Sequence, residues 1–411
     1  MAAHIPLMVE VHAEEVAIHW LRRDLAVDAP HYDRKFLSRL DERIEANLDG
    51  LRVAGAVGLE IAQAAFDASQ EPGEAFALAV CAFETGDEAA IAQVVDAVAI
   101  DGTGALRRAV ASASGWLTSE QMGAHVPALL EDMRATVRAL GLAIASVHRG
   151  AIEAPLETLL QDPVPMVRAQ AAKLAGVTGR SDLVPLIRPS KEFAPEVAFE
   201  LIRAAVLLGE RGRPLDALRS LAVGPGARAR TALELAVLAS PMDVAQNWLA
   251  GLGFEEAETV ALAIGLMGLP AQVPWLIEAM RDPKLARRAG ESLSLITGVD
   301  LAALDLEGSA PEDFDEGPND DPEDEMVALD PDEDLPWPEP DLVAEWWAGE
   351  SGRYAADGRY FLGQPVSEAG LGEAFAKGTQ RHRRIAALAQ VLAKPGSVLP
   401  NWRAREPLVL G

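Results

Sequence analysis

"QDPVPMVRAQAAKLAGVTGRSDLVPLIR", Gln161–Arg188, is the stretch whose reading decides the fold. Asp162-Pro163 reads as a helix start, because an Asp carboxylate accepts from the free first-turn amides and Pro lacks the amide that would go unpaired there. Val167, Ala171, Leu174 and Ala175 then share one face at helical spacing. Gly176–Gly179 breaks the run. Ser181 or Asp182 is positioned to cap a partner helix in "RSDLVPLIR". Turn, helix, break and second helix fit within about 30 residues, the period of a stacked helical repeat.

Working outward, the same unit recurs. "PEVAFELIRAAVLLGERGRPLDALRSLA" (195–222) is helix, Gly-rich turn, helix. "ARARTALELAVLASPMDVAQNWLAG" breaks at Ser240-Pro241, and "EEAETVALAIGLMGLPAQVPWLIEAM" breaks at Gly268–Pro270. "RDPKLARRAGESLSLITG" restates the first signature, with Asp282-Pro283 in the place of Asp162-Pro163. Upstream, "ERIEANLDGLRVAGAVGLEIAQAAFDAS", "EPGEAFALAVCAFETGDEAAIAQVVDAVA", "GTGALRRAVASASGWLTSEQMGAHVPALLED" and "MRATVRALGLAIASVHRGAIEAPLETLLQD" obey the period too. Roughly eight to nine helix pairs are expected between residues 40 and 300. Composition agrees: apolar residues are 49% of the chain, mostly Ala, Leu and Val, and aromatics only 5%. That is material for closely packed helices.

Asp162, Pro163, Val167, Arg168, Ala171, Ala172 and Gly176 together resemble a HEAT repeat, and Asp282–Gly290 is a weaker copy. The arginine of the signature is Arg168 in the first and Arg287 in the second. The expected fold is therefore all-α, a HEAT-like α-solenoid of helix-pair repeats with an acidic extended segment and a small mixed C-terminal cap. Four regions follow: an N-terminal cap (1–39, with "IPLMVEVH" as a short strand before a helix), the repeats (40–304), an acidic Pro-rich segment (305–341) and an aromatic cap (342–411). The end of a solenoid must cover an apolar face, which gives both caps their purpose.

The net charge is −27. Seventeen acids lie between Asp305 and Asp341, where there is no Lys or Arg, leaving −10 for the rest. Acids, Pro and Gly with few large apolar groups cannot offset the cost of ordering, so 311–334 should be irregular or extended. Asp313, Asp315, Asp320, Asp321, Asp324, Asp332 and Asp334 are its candidate interaction residues. Three readings stand open: a solvated linker, a segment folded back along a basic groove of the array, or a dock for a basic partner. Arg168, Arg203, Arg228, Arg230, Arg287 and Arg288 recur at similar places in the repeats and could line such a groove. Pro336-Trp337-Pro338 would anchor the segment with part of its ordering entropy already spent. Beyond it, Asp341 is placed to cap a helix carrying Trp346 and Trp347, and "RYAADGRYFLG" reads as a hairpin about Asp357-Gly358. Trp337, Trp346, Trp347, Tyr354, Tyr360, Phe361 and Trp402 are expected to form the capping core, while Trp248 and Trp275 pack between repeats.

No phosphate loop, dinucleotide fingerprint or nucleophile elbow is present. "VGPGARAR" (223–230) reads as a turn between repeats. The histidines lack zinc-ligand spacing, and one cysteine, Cys81, excludes an internal disulfide. "DFDEGPNDDPED" puts Gly317 and Pro318 where a calcium loop needs an Asp/Asn ligand and its turn glycine. No metal, cofactor or membrane span is expected, and a basic field for nucleic acid is lacking. The opening residues lack a secretory pattern, so a cytoplasmic location is expected.

"LITGVDL", "PEDF", "DDPEDE", "LDPDEDLPWPEPDLVAEWW", "RYFLG" and the late "NW" together resemble a bacterial HEAT-repeat family without an assigned activity, often encoded near type VI secretion genes. That resemblance spans essentially the whole chain and supplies no catalytic or binding residues. It implies a non-enzymatic scaffold or adaptor, accessory to type VI secretion, whose partner is a secreted effector or a secretion component. Two other classes stay open: a HEAT-like enzyme acting on DNA, and an acidic nucleic-acid mimic or inhibitor.

Overall fold

Ala, Leu and Val at helical spacing yield helices almost throughout the computed structural model, which among the described residues is all-α apart from two strands of two residues each. The structure describes residues 5–190, 192–311, 314, 330 and 332–405. The chain divides into unit 1 (Met1–Asp28, Tyr32–Glu210, Lys394–Gly411) and unit 2 (Ala29–His31, Arg211–Ala393). The division falls inside the stretch read as repeats.

Unit 1 opens with α1 (Pro6–Ala26), so "IPLMVEVH" is helix where a strand was expected. Pro6 suits the first turn, and Val9, Ala13, Val16, Ala17 and Trp20 fall on one buried helical face. α1 packs on α2 (Arg34–Ala54), α3 (Ala56–Ser69) and α4 (Pro72–Thr85). Every residue of α4 from Ala75 to Phe83 is buried, which makes it the central helix of this end. There Trp20 stacks on Phe76 at 5.3 Å, and Trp116 meets Phe76 edge-on at 4.9 Å. Burial pushes the Cys81 thiol, on the same helix, up to about 12, which keeps it protonated and unreactive.

Helix pairs continue with α5 (Glu88–Ile100), α6 (Ala105–Ala113), α7 (Ser119–Gly123), α8 (Val126–Glu131), α9 (Ala135–Val147), α10 (Leu156–Leu159), α11 (Pro165–Thr178) and α12 (Pro195–Leu207). Each principal helix packs on the next: α6 on α9, α9 on α11, α11 on α12. The expected partner of α11 is only a 3₁₀ stretch, Ser181–Leu186, with Pro185 inside it and no side-chain cap. Nor does Asp162 cap α11, which starts at Pro165. Its carboxylate instead accepts from the Val164 amide at 2.8 Å and from Nε and Nη2 of Arg138 at 2.9 and 3.0 Å.

Residues 394–405 close unit 1. Leu399 donates to the Val177 carbonyl at 2.9 Å, and Arg403 pairs with Asp28 at 2.8 Å. Arg23, buried against Asp41, donates to the Arg403 carbonyl at 3.1 Å. Trp402 is buried here, apart from the aromatic cluster it was expected to join. Gly179 ends α11 at φ 74, and a Cβ there would lie 2.4 Å from the Gly396 carbonyl oxygen, so only glycine lets the segment cross.

Unit 2 carries α13 (Arg213–Ala222), α14 (Ala229–Leu238), α15 (Met242–Ala250), α16 (Ala257–Met267), α17 (Val273–Ala279) and α18 (Pro283–Thr297). α13 packs on α14, α14 on α16 and α16 on α18. Asp282 does cap α18, accepting from the Lys284 amide at 3.0 Å. Trp275 is 39% exposed and so does not serve the inter-repeat packing expected of it. After α18 come α19 (Pro340–Glu350), the hairpin β1 (Tyr360–Phe361) and β2 (Gln364–Pro365), α20 (Glu368–Lys377) and α21 (Gln380–Ala393). The hairpin turns at Leu362-Gly363, both at positive φ, rather than at Asp357-Gly358. Asp341 lies in the first turn of α19 without capping it, and pairs with Arg281 at 2.6 Å.

Candidate functional site

The basic residues of α14, α18 and α21 converge on the end of the acidic segment. Asp332 is buried and held by three guanidinium groups: Arg381 at 2.8 Å, Arg288 at 3.0 Å and Arg230 at 3.5 Å. Glu291 of α18 shares two of them, Arg230 at 2.6 Å and Arg381 at 3.1 Å. Glu234 of α14 pairs with Arg384 at 2.5 Å, and Arg288 also pairs with Glu258. Burial alone would raise the Asp332 carboxyl, but the guanidinium charges of Arg230, Arg381 and Arg288 outweigh it and hold it at about 2. The same contest leaves Glu291 below the usual carboxylate range. Both carboxyls are therefore ionised near neutral pH, the wrong state for a general acid. His382, beside Arg381 on α21, is pushed down to about 4 by burial and is neutral.

Arg287, one position before Arg288, makes the outer part of this clasp. It donates to the Asp332 carbonyl at 3.0 Å and pairs with the Asp330 carboxylate at 2.6 Å. Its guanidinium lies 5.3 Å from the Phe314 ring and 5.7 Å from Trp337, which meet edge-on at 4.8 Å. Leu306–Gly308 pair antiparallel with Trp337–Glu339 through Gly308 to Trp337 at 2.8 Å and Glu339 to Leu306 at 2.9 Å. Asp334 reaches His31 at 3.2 Å. At Asp330 and Asp332 the acidic segment thus lies against α18 and is ion-paired within unit 2. Asp313, Asp315, Asp320, Asp321 and Asp324, and with them the calcium-loop reading, lie outside the described residues.

Of the other expected site residues, Trp346 and Trp347 begin an aromatic row. Trp346 is 6.2 Å from Trp347, Trp347 is 5.3 Å from Tyr354, and Tyr354 is 5.0 Å from Tyr360. Arg228 immediately precedes α14. Arg203, on α12, is 3.5 Å from Glu200. Arg168 and Arg203 belong to unit 1, apart from the clasp. Arg168 borders a cleft of about 360 Å³ with Leu160, Leu186, Arg188, Phe193 and Leu201. Its guanidinium lies 4.9 Å from the Phe193 ring and donates to the carbonyls of Asp162 and Pro163 at 2.6 and 3.2 Å. Arg138, 30 residues earlier, repeats that contact with Asp132 and Met133 at 2.8 and 2.9 Å.

Sequence reasoning did not single out Glu234 and Glu291, although the signal was there. Each is an acid at a core-facing phase of a helix, Glu234 flanked by Leu233 and Leu235. Arg149 was missed as well. Its Nε and one terminal nitrogen are buried without a hydrogen-bond partner, and burial beside Arg203 pushes its guanidinium down to about 10. Among the described residues no group of three or more His, Cys, Asp and Glu is placed to hold a metal, and no helix is long and apolar enough to cross a membrane. No protein-family model, curated protein or solved structure matches the chain.

Proposed function

We propose that the chain is a non-enzymatic, HEAT-like repeat scaffold that binds another protein. The observation that carries the reading is recurrence at the level of bonds. Arg138 and Arg168 make the same paired carbonyl contacts one 30-residue step apart. α11 and α18 also end alike: Thr178 and Thr297 each donate to the carbonyl four residues back at 2.7 Å, and Gly179 and Gly298 follow at φ 74 and 73. A module repeated so closely buries its apolar face against its neighbours and leaves an extended surface for a partner. The ionised, mutually neutralised clasp serves as framework, tying the acidic segment to α18. By its tail resemblance, the proposal extends to a bacterial cytoplasmic adaptor for a type VI effector or delivery component.

The test is in-cell crosslinking of the tagged full-length protein, followed by nuclease treatment and purification at high salt. A stoichiometric protein adduct is expected. Retention of nucleic acid in place of a protein adduct overturns the scaffold in favour of a DNA-acting protein.

A further inference from the structure

α11 and α18 are equivalent helices, and one of them already holds a ligand from its own chain. Counting back ten residues from Thr178 gives Arg168, and from Thr297 gives Arg287. Each guanidinium lies against aromatic rings, Phe193 for Arg168 and Phe314 with Trp337 for Arg287. Arg287 uses its remaining edge to take a carboxylate, Asp330, and a backbone carbonyl of the acidic segment. Arg168 has the ring and two helix-start carbonyls but no carboxylate among the described residues. Beside it the chain leaves a cleft of about 360 Å³, whose floor is Leu160, Leu186 and Leu201. That is within the size range of ligand sites. At the rim Arg188 is exposed and makes no ion pair or hydrogen bond among the described residues.

We propose that this cleft of unit 1 binds an extended acidic peptide segment of a partner protein. A carboxylate would take the free edge of Arg168 and the guanidinium of Arg188, and an apolar or aromatic side chain would lie on Phe193 over the leucine floor. Charge complementarity selects the occupant: two arginines facing an apolar cleft disfavour a basic or purely aliphatic peptide. The chemistry is the one α18 displays with Asp330, Phe314 and Trp337. The inference rests on the scaffold reading and gives it a site and a partner class.

The probe is a fluorescein-labelled nonapeptide, Asp-Pro-Asp-Glu-Asp-Leu-Pro-Trp-Pro, copied from residues 330–338. Its binding to the full-length protein is followed by fluorescence anisotropy at low salt. Saturable binding is expected, weakened at least about tenfold by Arg188→Glu, an exposed and unpaired position whose change should leave the fold intact. The peptide with Asn and Gln for its acids should lose binding to a similar degree. Arg168→Lys, which keeps the charge and loses the planar fork, should also weaken it. No saturable binding overturns the proposal. So does binding indifferent to Arg188→Glu, including displacement of the chain's own segment from Arg287. A crosslinked partner with no peptide binding removes this site and leaves the scaffold standing; peptide binding with no partner in cells does the reverse.

Discussion

Asp332 is one carboxylate shared among three guanidinium groups. Replacing it with Asn leaves Arg230, Arg288 and Arg381 in the interior with one counter-charge fewer. Breaking such a buried set costs about 3–5 kcal/mol, which urea unfolding of Asp332→Asn at pH 7 would register. The pH dependence has a definite sign. The folded-state value of about 2 lies below the ordinary 3.8. The contribution is therefore complete above pH 4 and disappears as pH falls towards 2, by about 2 kcal/mol. Unfolding curves across that window should show the loss in the parent protein and a smaller one in Asp332→Asn. Arg149 presents the opposite case, a desolvated cation with no counter-charge among the described residues. Arg149→Met keeps the apolar stem and removes the charge, and should raise stability by about 1 kcal/mol or more in the same assay.

At the scale of elements, much was readable because it depends on local rules. Ser240-Pro241 and Gly268–Pro270 interrupt helices where Pro and Gly must, and α14 with α15, then α16 with α17, fall either side. What was not readable depends on tertiary partners. Asp162 and Asp282 precede Pro alike and each accepts from the amide two residues on, yet only Asp282 caps, because α18 starts at Pro283 while α11 starts only at Pro165 and the Arg138 fork holds Asp162. The hairpin formed five residues beyond its strongest local signal, where Leu362 and Gly363 donate to the Leu295 and Ile296 carbonyls of α18. In the clasp, the arginines of α18 and Trp337 were legible as a basic–aromatic pattern. Of the acids that complete it, Glu234 sits in an apolar run and Glu291 between Gly290 and Ser292, so each was marked only by its core-facing helical phase. The same helix end gives a sharp test. Gly298 has φ 73, and a Cβ there would lie 2.7 Å from the Leu362 carbonyl oxygen. Gly298→Ala should cost about 2 kcal/mol or more and speed amide exchange at Leu362 and Gly363.

For the whole molecule, charge is unevenly spent. The acids that make the chain so anionic are concentrated in 305–341, and of these Asp330 and Asp332 are paired with Arg230, Arg287, Arg288 and Arg381. Unit 1, by contrast, depends on residues from the far end of the chain, through Leu399 to Val177, Arg403 to Asp28 and Arg405 to Glu45. Truncation after Ala393 should therefore loosen unit 1. Hydrogen exchange ought to accelerate about tenfold or more in the amides near Val177–Gly179 and around Arg23, while α16 and α18 stay protected.

That closing segment also sets a timetable on the ribosome. Unit 1 is synthesised first except for its last piece, and the piece emerges only after Arg211–Ala393 have been made. At about 5–20 residues per second, the nascent chain spends on the order of 10–40 s with the seat for Leu399 and Trp402 uncovered. During that interval the Val177 carbonyl and the Trp116 ring, which Leu399 and Arg405 later meet, are open to any chaperone waiting at the exit tunnel.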